Sequence, residues 1–254
     1  MNKKIVVQFT VLTLAFTAIV WGSLVVCAQF GITLSNNFWL YIPYIIGGWS
    51  PTIISYLILK RNNEVSGLKE WLKNVFAFKS PVRFYIFTVL LMVICFVPNA
   101  LISGLETQNP FYMFFVSLPV CLIGGGLEEA GWRYILQPEL DKKYGFILSA
   151  VIVSVIWAIW HLPLLFIPGV TQYGWNFGWF AISVLGLTFA LGAIRKTSGN
   201  VFLCVLFHTL INALSGTFII NRSFFGVTVS TIIVILISTI SVFVISRKNN
   251  MRSL

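Results

Sequence analysis

The chain has 254 residues, of which 58% are hydrophobic and 9% are charged, and its mean hydropathy is +0.91. This composition lies outside the range of soluble domains and excludes a soluble enzyme or a soluble binding module. The net charge of +10 does not indicate nucleic acid binding, because the basic residues lie in short loops beside apolar spans, where they act as topology signals. We therefore predict an all-α, polytopic membrane protein with one membrane domain over residues 1–254, a bundle of about eight transmembrane helices.

Two uncharged spans begin the chain, near residues 5–28 and 38–59, and a polar interruption at 31–37 separates them. The following segment, residues 60–83, carries six basic residues. We predict it either as an amphipathic stretch on the membrane surface or as a plain solvated loop. A third span covers about 84–103.

Five further spans follow a turn at Asn109-Pro110, and they cover residues 111–136, 145–167, 176–194, 200–220 and 223–245. With the N and C termini both placed in the cytoplasm, 15 of the 17 basic residues fall on the cytoplasmic side. The two exceptions are Arg222, which falls outside, and Arg133, which lies within the fourth span. This distribution follows the positive-inside rule and supports eight spans with cytoplasmic termini.

The fourth span contains three ionisable residues, Glu128, Glu129 and Arg133, in otherwise apolar surroundings. Ionisable side chains at this depth cost at least a few kcal/mol each, so we expect a functional site with a partner from another helix. The candidate partners are the two histidines of the chain, His161 in the fifth span and His208 in the seventh. From the helical rise, Glu128 and His161 both lie roughly 20–25 Å from the cytoplasmic ends of their helices, and His208 lies about 12 Å deep.

The spacing of these residues predicts a division of roles. Glu129 stands four residues before Arg133 and is its natural ion-pair partner, whereas Glu128 has no local cation and is suited to act as a general base for water. His208 and Asn212 are also four residues apart and share one helix face. Both can donate to the oxyanion that forms when water attacks a peptide carbonyl.

The polar residues form three motifs, which are Glu128-Glu129-x-x-x-Arg133, Trp157-x-x-x-His161 followed by Leu-Pro-Leu, and His208-x-x-x-Asn212. In order and spacing they resemble the motifs of the CAAX prenyl protease and bacteriocin-processing family, also called the Abi family. The resemblance covers roughly residues 110–215, the expected catalytic core. The stretches Gly131-Trp-Arg133 and Trp160-His-Leu-Pro163 are similar to bacterial members.

The resemblance implies a multi-pass intramembrane endopeptidase of a bacterial cell membrane. In that family, the position of Glu128 activates water, and the positions of His161, His208 and Asn212 assist it. No cofactor is implied. The expected partners are membrane lipid and a peptide or membrane-associated protein substrate, with bacteriocin maturation or immunity as one possible role.

Two positions depart from the family pattern. The aromatic residue one turn before the first histidine is usually Phe and here is Trp157, and the Gly that often follows the motif arginine is here Tyr134. Neither change removes a catalytic group. Trp157 is expected to pack, and Glu129 and Arg133 are expected to be structural.

Other chemistries are compatible with the same residues. Glu128, His161 and His208 could hold a catalytic zinc ion with water as the fourth ligand, although no HExxH motif is present. Cys204 precedes His208 by one helical turn and could form a nucleophilic pair with it. The four cysteines show no CxxC spacing and predict no disulfide framework.

Two function classes without proteolysis also remain. Buried acids and histidines can form a proton relay in a transporter, although no inverted repeat is apparent. A catalytically idle relative could act by binding, as a bacteriocin immunity or secretion partner.

Overall fold

The computed structural model of the protein describes residues 1–221 and 223–251, with side chains described as far as Ile245. The α-helices of these residues are α1 (Lys3–Gln29), α2 (Tyr41–Gly48), α3 (Ser50–Arg61), α4 (Leu68–Val75), α5 (Val82–Ser103), α6 (Tyr112–Gly124), α7 (Glu129–Gly131), α8 (Gln137–His161), α9 (Phe177–Ser198), α10 (Val201–Thr217) and α11 (Phe224–Met251). Two three-residue strands, β1 (Leu105–Thr107) and β2 (Phe218–Ile220), pair antiparallel. The predicted all-α class is confirmed. Arg222 and Arg252, which the predicted topology uses, lie outside the described residues.

Long apolar helices make this a multi-pass membrane protein, as predicted. Five helical segments of the described chain are long and apolar enough to cross a membrane, and they are Lys3–Gln29, Val82–Ser103, Tyr112–Phe166, Phe177–Ser198 and Phe224–Ile245. Helices α2 and α3 add a sixth if they are counted as one span bent by 44°. Helix α10 is also apolar but has 17 residues.

Contacts between loops show which loops lie at the same end of the bundle. At one end, hydrogen bonds connect Asn2 with Glu139 and Ala77 with Asn200, and an ion pair connects Asp141 with Lys196. At the other end, β1 pairs with β2, and Asn109 Nδ2 donates to the Gly216 carbonyl over 2.8 Å. Gly169 packs beside Leu34 and Ser35 at this second end.

These contacts show that the segment Tyr112–Phe166 crosses the bundle twice. It starts near Asn109 at the second end, reaches the first end at Glu139, and returns to Gly169 at the second end. The helix is interrupted at Gly145, whose φ of 71° and ψ of 176° suit a residue without Cβ. By length and composition, five segments qualify as spans, or six with the bent pair. Adding this second crossing and the 17-residue α10 would give the eight spans that the sequence predicts, and that number stays a prediction.

A cluster of tryptophans fills the centre of the bundle. The ring of Trp160 lies 4.7 Å from that of Trp21 and 5.9 Å from that of Trp132, centroid to centroid. Its indole N–H donates to Thr17 Oγ1 (2.7 Å) and Ser50 Oγ (3.0 Å). Because Thr17 lies on α1 and Ser50 lies on α3, these hydrogen bonds connect both helices to α8. The two hydroxyl groups are buried and hydrogen-bonded within the protein instead of facing lipid.

Helix α4 forms within the basic segment 60–83, so the plain-loop alternative is wrong. Its Trp71 and Val75 are buried in the protein rather than facing lipid, and Trp71 Nε1 donates to Ser55 Oγ over 3.1 Å. Asn74 Nδ2 donates to the hydroxyl of Tyr134 over 2.8 Å. These polar partners draw the amphipathic helix onto the end of the bundle.

We expect reporter fusions after Lys73, Lys143 and Lys196 to report a cytoplasmic location, and fusions near Asn109 and Tyr173 an external one. The physical reason is that short loops rich in Lys and Arg stay in the cytoplasm. Paired alkaline phosphatase and fluorescent protein fusions measure this. A cytoplasmic signal at Asn109 would contradict the eight-span topology.

Candidate active site

The helix that carries the glutamates is broken where they begin. The sequence predicts one span over residues 111–136, but α6 ends at Gly124, a 3-10 turn covers Gly126–Glu128, and a π-helical turn covers Trp132–Leu136. Helix α10 packs against the break so closely that a Cβ at Gly125 would overlap Asn212 Nδ2. The glycines are therefore needed for this approach, and the helix is interrupted at the glycines that the sequence marks as its weak point.

Helix breaks expose backbone carbonyls, which in a bilayer each cost several kcal/mol unless they are hydrogen-bonded. Two side chains at the junction of α2 and α3 supply the donors. Trp49 Nε1 donates to the carbonyl of Ile123, and Thr52 Oγ1 donates to that of Leu127, both over 2.8 Å. These bonds fix the backbone on either side of Gly124–Gly126, and so fix the position of the glutamates that follow.

Glu129 lies at the centre of a buried charge cluster. Its Oε2 is 3.4 Å from Arg133 Nε, an ion pair without hydrogen-bond geometry, and both side chains are fully buried. Its Oε1 is 2.8 Å from Nδ1 of His208. The predicted pairing with Arg133 is present, and the contact with His208 is one that sequence analysis missed.

Glu128 points to a different partner. Its Oε2 accepts a hydrogen bond from the indole N–H of Trp157 over 3.0 Å. The backbone carbonyl of Trp157 is 2.9 Å from Nδ1 of His161. The Trp157 ring also lies 5.6 Å from the ring of His161 and 5.5 Å from that of His208. Glu128 and both histidines therefore surround one tryptophan side chain.

The partners of the two histidines fix their chemistry. His161 Nδ1 faces a carbonyl, which only accepts, so Nδ1 carries a proton and Nε2 of the neutral ring is an acceptor. His208 Nδ1 faces the carboxylate of Glu129 and donates to it. His208 Nε2 points toward Gly125, where Asn212 Nδ2 also lies. The structure thus brings Asn212 and His208 together on one side of the helix break.

The rival chemistries find less support in the geometry. In residues 1–221 and 223–251, no three His, Cys, Asp or Glu side chains are grouped so that they could hold a metal ion. Zinc binding by Glu128, His161 and His208 stays a prediction that an assay of metal dependence tests. The Cys204 thiol donates to the carbonyl of Leu191 over 3.5 Å and also contacts that of Asn200.

Comparison with known proteins finds similarity to one protease family. The model of the type II CAAX prenyl endopeptidase Rce1-like family matches residues 108–214. CAAX prenyl protease 2 of Methanococcus maripaludis is 26% identical over 189 residues, which are 65% of this chain and 68% of that protein. Both findings support the similarity to the CAAX prenyl protease family that the three motifs imply. These similarities support an intramembrane protease that acts on a peptide or protein substrate.

The sequence carried a partial signal for the two contacts that were missed. A carboxylate has two oxygens, so Glu129 can serve Arg133 and a second donor at once. The tryptophan at position 157 offers an N–H that a phenylalanine lacks. Neither signal says which donor meets which acceptor, because helix rotation and the break at Gly125 decide that.

Removing the shared carboxylate tests the charge cluster. Glu129→Ala should destabilise the protein by about 3–5 kcal/mol, because it leaves Arg133 buried without its counter-charge. The double variant Glu129→Ala/Arg133→Leu should recover part of this loss. Thermal unfolding in detergent measures both.

Lys142→Ala is the control, since Lys142 pairs with Glu139 at the exposed end of the bundle. It should cost less than about 1 kcal/mol. A double variant no more stable than Glu129→Ala would show that the pairing with Arg133 does not hold the fold.

Proposed function

We propose that the protein hydrolyses a peptide bond with a water molecule activated by Glu128. The observation that carries this proposal is the unequal use of the two glutamates. Both oxygens of Glu129 contact Arg133 and His208, and its side chain is fully buried. Glu128 is 7% exposed, and the hydrogen bond that it accepts through Oε2 comes from the neutral indole of Trp157 rather than from a cation. A carboxylate so placed can accept the proton of a nucleophilic water.

The two histidines take separate parts in this mechanism. His161 accepts from the same water through Nε2 and orients it toward the carbonyl carbon. As the water oxygen bonds to that carbon, Glu128 takes one proton and the carbonyl oxygen becomes negatively charged. When the tetrahedral intermediate collapses, the C–N bond breaks and the proton on Glu128 passes to the leaving amine.

The oxyanion requires donors at the helix break. Asn212 Nδ2 and His208 Nε2 both face Gly125 and are the groups suited to this role. Since His208 already donates through Nδ1 to Glu129, its second donor requires a doubly protonated ring. The carboxylate of Glu129 stabilises that imidazolium, so Glu129 supports catalysis through His208 as well as structure through Arg133.

We infer that the substrate is a membrane-associated peptide or protein whose cleavage site reaches the depth of Glu128. The name of the Methanococcus relative indicates prenylated C-terminal CAAX peptides as the first class to assay. A peptide of the same sequence without the prenyl group shows whether the lipid is needed. Bacteriocin precursors are the second class, which the resemblance to bacterial relatives suggests.

Glu128→Gln should reduce proteolysis about 1,000-fold, the middle of the range of about 10²–10⁴ expected for lost general-base catalysis. The variant should fold, because the Gln side-chain oxygen can still accept from Trp157. Cleavage is measured by mass spectrometry of the prenylated peptide and of membranes from cells carrying either form.

Glu106→Gln is the matched control, because this glutamate is exposed in β1 at one end of the bundle. It should retain full activity. Undiminished cleavage by Glu128→Gln would refute the proposed mechanism.

Chelators separate a glutamate-activated water from zinc catalysis. We expect activity to survive prolonged treatment with 1,10-phenanthroline, because Glu128, His161 and His208 are not grouped to hold a metal. The assay is cleavage of the same peptide before and after treatment. Loss of activity that added Zn²⁺ restores would establish the zinc alternative instead.

A further inference from the structure

We propose that Trp157 is a positioning residue that sets Glu128 and His161 toward the same water molecule. The inference rests on the proposed function, because it concerns the aim of the general base. The sequence predicts a packing role for this side chain. The structure gives it polar contacts to two residues of the proposed catalytic set.

The first contact fixes the general base. The Trp157 indole N–H donates to Glu128 Oε2 over 3.0 Å, and the tryptophan is 2% exposed. A carboxyl group can rotate about its last side-chain bond unless one of its oxygens is held. With Oε2 held by a rigid, buried ring, the direction of Oε1 is set.

The second contact fixes the histidine. Nδ1 of His161 donates to the backbone carbonyl of Trp157 over 2.9 Å, one helical turn away on α8. This bond sets the ring orientation and keeps Nε2 as the acceptor. One residue therefore aims both groups, through its side chain for Glu128 and through its backbone for His161.

The surroundings of Trp157 keep its ring in place. The guanidinium carbon of Arg133 lies 5.3 Å from the ring centroid, a cation–π distance. The His208 ring packs against it edge-on, with an interplanar angle of 74°. Arg133 and His208 are themselves held by Glu129. The charge cluster therefore fixes the position of the Trp157 ring, and the ring in turn fixes the orientation of the Glu128 carboxylate.

Phenylalanine at this position would retain the ring and its contacts with Arg133 and His208 but would offer no donor to Glu128. A hydrogen bond to a charged acceptor in a buried site is worth about 10- to 100-fold in an equilibrium. We expect Trp157→Phe to lower kcat about 10-fold or more. KM should stay within about twofold, because the ring does not contribute to substrate binding in this role.

Trp21→Phe is the matched control. Trp21 is also 2% exposed, and its indole N–H donates over 2.9 Å to the carbonyl of Tyr44 instead of to a carboxylate. Its loss should affect thermal stability by a similar amount while kcat stays within about twofold. A purely structural role for Trp157 would give the two variants the same kcat and KM.

A shape-preserving replacement keeps the test decisive if Trp157→Phe folds poorly. Substituting 3-benzothienylalanine for Trp157 puts sulfur in place of the N–H and leaves the bicyclic ring. The same loss in kcat is expected, and wild-type kcat in this variant would overturn the inference. Glu128→Gln is assayed in parallel: if it remains active the proposed function fails, and if it is inactive while Trp157 variants match Trp21→Phe, this inference alone fails.

Discussion

The ion pair and hydrogen bond made by Glu129 are the interactions on which the site depends. This carboxylate joins Arg133 on its own segment to His208 on α10, in a fully buried position. Removing a partner from such a cluster leaves an uncompensated charge, which costs several kcal/mol within a protein and more within a bilayer. The two segments are therefore held at one relative height, and the residues beside them, Glu128 and Asn212, are placed as a consequence.

The broken helix is the second requirement. Any residue other than glycine would place a Cβ at positions 125 and 126, where Asn212 and Thr209 of α10 already lie. Glycines remove that obstacle, but the helix break leaves backbone carbonyls without helical partners. Trp49 and Thr52, from the bent α2–α3 span, donate hydrogen bonds to two of these carbonyls. The bilayer holds no water that could hydrogen-bond the irregular backbone. The close approach of the helices is therefore accompanied by side-chain donors that satisfy the exposed carbonyls.

The two glutamates illustrate how adjacent identical residues acquire different roles. Successive helical side chains point about 100° apart, so Glu129 turns toward Arg133 and His208 while Glu128 turns toward Trp157. Both oxygens of Glu129 interact with the basic side chains of Arg133 and His208, whereas Glu128 accepts a hydrogen bond from the neutral indole of Trp157. In the proposed mechanism, this division makes Glu129 the structural acid and Glu128 the general base, although the residue type is the same.

The sequence by itself determined the class of protein, its long apolar segments and the pairing of Glu129 with Arg133. These follow from hydropathy, charge placement and helical spacing, which are local properties of the chain. The helix break, the folding of α4 onto the bundle, and the partners of His208 and Glu128 were decided by tertiary structure. Spacing gives the height of a side chain along its helix, but the rotation of that helix against its neighbours decides which donor meets which acceptor. That rotation depends on glycines, tryptophans and hydroxyls from several helices packing at once.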